Sequence, residues 1–147
     1  MPNVRFKEMS KSHDAVTTYA VATEALGGET SDIMKTKFYN MKNYDAILGI
    51  AVAQTVVATH TLTFKMFQGT DTDGSGSGTI SGASDTYLST QVTDVYQTIL
   101  EVDADMLTDG SDYVAMEVST DDADGSEVVT LVVVPTFGGY RQATTPA

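Results

Sequence analysis

The chain has 147 residues, a length that one domain fills, with 8 basic and 20 acidic residues, a formal net charge of −12 and no cysteine. The missing cysteines exclude a disulfide framework and thiol chemistry. The negative charge argues against nucleic acid as a partner, because neutralising phosphates demands a basic surface.

In chain order, Met1–Asp14 is polar and mixed in charge and is expected to form an N-terminal arm (residues 1–14). It lacks an apolar core of signal-peptide length, and the longest apolar stretch of the chain, Ala46–Ala53, is too short to cross a bilayer. A soluble protein with no membrane partner is therefore expected. Thr17–Thr23 leans to a strand, ended by Gly27-Gly28. Met34, Thr36 and Phe38 alternate with Lys35, Lys37 and Tyr39, which predicts a strand with one buried face. Ala46–Val52 is apolar on both parities and predicts a strand covered on both sides, at the centre of a sheet or at a subunit contact. Leu62, Phe64 and Met66 alternate with Thr61, Thr63 and Lys65. Gln68–Asp85, rich in Gly, Ser and Asp, is expected to be a long mobile loop (residues 68–85), because few of its side chains offset the entropy of ordering.

After that loop, Val95–Val102 is read as a strand. A short helical turn follows at Asp103–Leu107, closed by Gly110. Val114, Met116 and Val118 mark another half-buried strand. Asp121–Glu127 reads as a hairpin loop, and Val128–Val134 as a second strand apolar on both faces, stopped by Pro135. Residues 138–147 form a tail. The fold class expected is all-β: an antiparallel β-sandwich or barrel of about seven strands, occupying residues 15–137.

The charge is divided unevenly. Residues 1–65 hold seven bases and six acids, net +1, and residues 66–147 hold one base and fourteen acids, net −13. This split suggests a polarised molecule with a near-neutral half that meets a partner and a repulsive, solvated half.

Motifs that carry chemistry are scarce. His13 lies in the arm and His60 opens a strand, and neither stands in a nucleophile–base pattern. Gly74, Gly76 and Gly78 lack the lysine and following helix of a phosphate loop. Asp71 and Asp73 begin like a calcium loop with Gly76 in the sixth place, but Gly82 stands where the bidentate glutamate belongs. Asp122 and Asp124 form a second weak candidate for a divalent cation. Glu101 and Glu117 fall inside predicted strands and are expected to face solvent. The expectation is a non-enzymatic binding or structural module that needs no cofactor. Its partner-binding candidates are Arg5, Phe6, Lys7 and Lys11 of the arm, and Tyr44; Tyr19, Tyr39, Phe64 and Phe67 are read equally well as contact or core residues.

Met41–Leu48 leading into an apolar strand, the Gln68-Gly69-Thr70-Asp71 loop, Ile99–Leu107 and Tyr113–Thr120 together resemble the small Thr/Val/Ala-rich structural proteins of tailed-bacteriophage virions, most of all head decoration (cement) proteins. The likeness covers roughly residues 30–135. It implies a homotrimer on the capsid exterior, made in the host cytoplasm, that binds the major capsid protein and clamps neighbouring capsomers. Two other readings stay open: a head–tail joining or tail protein, and a calcium-dependent carbohydrate- or surface-binding β-module.

Overall fold

The computed structural model describes residues 20–26, 33–42, 44–56, 58–90, 94–121 and 127–136. Among the described residues nine strands follow in order: β1 (Ala20–Leu26), β2 (Ile33–Lys35), β3 (Tyr39–Asn40), β4 (Ala46–Val56), β5 (Thr61–Gly69), β6 (Gly78–Leu88), β7 (Asp94–Asp103), β8 (Tyr113–Thr120) and β9 (Glu127–Thr136). A 3-10 turn, Ala104–Met106, follows β7 where the helical turn is predicted.

All pairing is antiparallel, and it is nested. Strand β1 pairs with β9, β2 and β3 with β8, β4 with β7, and β5 with β6, so the chain is one long hairpin in plan. Two further pairings, β4 with β9 and β5 with β8, roll that hairpin up. Two sheets result, ordered β1-β9-β4-β7 (sheet A) and β2-β8-β5-β6 (sheet B), with β3 beside β8. This strand order is a jelly roll, an open sandwich in which the sheets do not close into a barrel.

The inner faces build the core. Phe64, Leu62 and Met66 of β5 and Val114, Met116 and Val118 of β8 meet Ile47 of β4, Val102 of β7 and Leu131 of β9, all fully buried. Each such side chain contributes about 1.5–3 kcal/mol by leaving water. Gly49 is small for a reason of space: a β-carbon there would lie 2.4 Å from Met66 Sδ and 3.0 Å from Met116 Sδ.

Four expectations need correction. Residues 68–85 are not one loop. Gln68 and Gly69 end β5, Gly78–Leu88 form an edge strand, and only residues 70–77 connect them. Alternation in β6 is weak because its register with β5 shifts between Lys65 and Phe67, so no single parity marks its inner face. Met34–Tyr39 is two short strands, although Met34 and Thr36 are buried and Lys35 and Lys37 exposed as the period of two requires. Pro135 does not stop β9 but pairs with Ile47. It lies past the β1 end of the pairing, which reaches Val133, so a missing N–H is tolerated there. Finally, the two charge halves do not separate in space: nesting sets β1, β2, β3, β4 and β5 of the first half beside β9, β8, β7 and β6 of the second. The expected arm, residues 1–14, and the tail, residues 138–147, lie outside the described residues.

Candidate interaction surface

The register sorts the side chains of sheet A into two sets. Ile47, Ala51 and Ala53 of β4 face the core with Val129, Leu131 and Val133 of β9, and with Leu100 and Val102 of β7. The other parity faces away from sheet B. It presents Leu48, Ile50 and Val52 from β4, Val128, Thr130, Val132 and Val134 from β9, and Val95, Gln97, Ile99 and Glu101 from β7. The β4 and β9 residues of this set are half-buried by their neighbours, whereas Val95 and Ile99 on the edge strand are 68% and 63% exposed. The doubly apolar strands of the sequence are thus the two central strands of sheet A. Among the described residues, the core covers one of their two faces.

No lysine or arginine occurs in β1, β4, β7 or β9. The acids on the outward parity, Glu101 and Asp103, sit together near the end of β7. Sheet B is different. Its outer face carries Thr61, Thr63 and Lys65, and Lys35 Nζ, 2.9 Å from Glu117 Oε2 and 3.9 Å above the ring centre of Phe67. Charge polarity therefore follows the sheets and not the halves of the chain.

Tyr44 lies at one end of the sandwich. Its hydroxyl shares a 3.2 Å hydrogen bond with that of Tyr39, and the rings are 5.8 Å apart. That bond, with partial burial, pushes the Tyr44 phenol up to about 12. Tyr44 also lines a shallow depression of about 160 Å³ with Met41, Leu107, Thr108 and Asp112. Pockets for small organic ligands run to roughly 300–1,000 Å³, so this one suits at most a side chain. Ala20 opposite Val133, and Thr136 opposite Ala46, show that the first described strand begins and the last ends at this same end. Arg5, Phe6, Lys7 and Lys11 lie outside the described residues. Phe64 is core, Phe67 is half-buried under Lys35, and Tyr19 lies outside the described residues.

Of the acidic candidates, Asp71 is engaged in the hydrogen bonds of its own loop. Asp71 Oδ1 accepts from the amides of Asp73 and Ser75, both at 3.0 Å, and Ser75 bonding holds its carboxyl below the ordinary carboxylate range. A calcium loop starting at Asp71 would also run into β6, which begins at Gly78. Asp122 and Asp124 lie outside the described residues, and among the described residues no three acidic or histidine groups converge on a metal position. At the opposite end Asp121 accepts from the Thr61 amide at 2.7 Å, which holds its carboxyl low.

Sequence reasoning missed one group. Glu127 is read there as part of a hairpin loop, yet it begins β9 and is fully buried. Its Oε1 lies 2.8 Å from His60 Nδ1, and its Oε2 has no hydrogen-bond partner among the described residues. The signal was present: Glu127 shares the parity of Val129, Leu131 and Val133, all inside.

No protein-family model matches the chain, and no curated protein matches it in sequence.

Proposed function

We propose that this chain is a structural protein of a virion exterior that binds an assembled phage capsid and stabilises it by clamping neighbouring capsomers, acting as a homo-oligomer. The observation that supports this most is a convergence at one end of the sandwich. Tyr44, the start of β1 and the end of β9 lie together there, and the basic segment with Arg5, Lys7 and Lys11 precedes β1 in the sequence. A tethered arm plus a docked body makes two modest contacts per copy, and several copies joined together make many, so avidity exceeds any single contact. The jelly-roll strand order is compatible with this role. It also serves lectin and cupin domains, so it favours no function by itself.

The test is occupancy on purified, expanded phage heads. The wild-type chain should decorate the heads saturably, and Arg5→Ala, Lys7→Ala and Lys11→Ala together should lower that occupancy. No binding to any head preparation, with binding to a glycan in the presence of calcium instead, would replace this reading with that of a carbohydrate-binding module.

A further inference from the structure

We infer that the depression beside Tyr44 is a docking slot for a long cationic side chain, and that its occupant is the basic stretch Arg5–Lys11 of the same chain. The slot lies between the segment before β4 and the segment after β7. Backbone hydrogen bonds bridge these two walls at two points: Met41 N donates to Asp112 O at 2.7 Å, and Ala104 N to Asp45 O at 2.9 Å. Gln68 of β5 clips the second wall. Its side-chain amide donates to Thr108 Oγ1 at 2.9 Å and accepts from the Thr108 backbone N–H at 2.8 Å. The slot is therefore preformed, and an occupant does not have to order its walls.

Its lining selects the occupant. The volume of about 160 Å³ holds one long side chain. Buried Met41 and half-buried Leu107 offer apolar surface to a methylene stem, and exposed Asp109 and Asp112 offer carboxylates to a charged head. Lys42 is the one cation among the described lining residues, and it stands against those two acids and against Asp103 and Asp105, which flank Ala104 of the same wall.

The chain carries a match within reach. Residues 5–11 hold Arg5, Lys7 and Lys11 against Glu8 alone, and they precede β1, which starts at this end of the sandwich with Ala20 opposite Val133. The order β1-β9-β4-β7 puts the slot within three strand spacings of that start, about 15 Å. The chain from Lys11 to Ala20 spans up to about 30 Å when extended. A segment joined so closely meets the slot at an effective concentration on the order of millimolar, so a modest contact suffices. The other end of the chain is the poorer match, since residues 137–147 hold a single base, Arg141.

This inference adds a regulation to the capsid reading and rests on it only for what releases the segment: the bases that a capsid would take are held on the body until a capsid surface competes for them. The full chain, free of any capsid, tests it. The sequence has no cysteine, so Ser12→Cys carries a single nitroxide label, and the broadening of backbone amide signals is read by nuclear magnetic resonance. At low salt the label should broaden Met41, Lys42, Tyr44 and Leu107–Asp112 selectively. Asp109→Asn with Asp112→Asn, both at exposed positions and so compatible with the fold, should remove that broadening. So should about 1 M salt, where the screening length falls to about 3 Å. Asp105→Asn, at the same end but outside the slot, should leave it in place. Labelled chain mixed with isotope-enriched, unlabelled chain separates contact within a copy from contact between copies. Absence of selective broadening, as when Arg141 fills the slot instead, overturns the proposal. So does broadening that survives in the Asp109, Asp112 variant, or that arises between copies. Occupancy on phage heads is a separate measurement: chains that fail to decorate heads leave the slot result standing, and an empty slot leaves the capsid reading standing.

Discussion

The Tyr96 phenol donates to the Asp85 carboxylate and so ties β7 to β6, edge strands of different sheets that share no backbone ladder. Tyr96 also stacks on Tyr87 with ring centres 4.0 Å apart and leans on Phe64 of the core. One polar contact and one aromatic stack thereby close a side of the sandwich that the backbone leaves open.

That closure is sensitive to acid. The hydrogen bond from Tyr96, with a smaller one from Thr98, holds the Asp85 carboxyl below the ordinary range, while the same bond raises the Tyr96 phenol. A carboxyl lower in the folded than in the unfolded chain stabilises the fold above about pH 4 and loses that contribution as pH falls through its folded value. Tyr96→Phe should cost about 1 kcal/mol near neutral pH, a charged hydrogen bond discounted for partial exposure. The variant should also lose less stability than the wild type between pH 5 and acid, since less remains to lose. Urea titrations at the two pH values check both points. An equal acid loss in the two proteins would place the acid sensitivity elsewhere.

Gly74 lies against the ring of Phe38. Its φ is +78°, and a β-carbon there would come within 2.3 Å of one ring carbon and 2.8 Å of another. Gly74→Ala should therefore destabilise by about 2–4 kcal/mol, through left-handed backbone strain together with displacement of a rigid ring. Gly76, with φ +61° but only a Thr70 methyl nearby, should cost closer to about 1 kcal/mol when replaced by alanine, from the backbone alone. Thermal unfolding of the two variants measures the difference. If Gly74→Ala costs no more than Gly76→Ala, Phe38 does not support the loop.

The Glu127–His60 pair lies at the opposite end, with the Glu127 side chain fully buried. His60→Ala should lose about 1–3 kcal/mol, because the fully buried Glu127 side chain would forfeit its 2.8 Å partner. His60→Ala combined with Glu127→Leu should recover most of that loss, since an apolar side chain suits the site better than a buried carboxyl group without its partner. Chemical denaturation of the single and double variants completes the cycle, and a double variant as unstable as the single one would show that the carboxylate is not what suffers.

The amino-acid sequence by itself determined the class of the fold and most of its strands. Period-two alternation at Leu62–Met66 and Val114–Val118 fixed which side chains enter the core, because alternate residues of a strand face opposite ways whatever strand lies beside it. The two aliphatic runs, Ala46–Val52 and Val128–Val134, marked the centre of a sheet for the same local reason. Pairing is not local. Only the tertiary structure nested the strands so that residues far apart in sequence became neighbours, and this dissolved the charge halves into two differently charged sheets. It likewise took the rolled sandwich to carry Glu127 inside, to lay Gly74 on Phe38, and to leave one face of those aliphatic runs outward. Each of these depends on which surface a strand packs against, a choice made by the summed burial of the whole core and not by any one segment's preference.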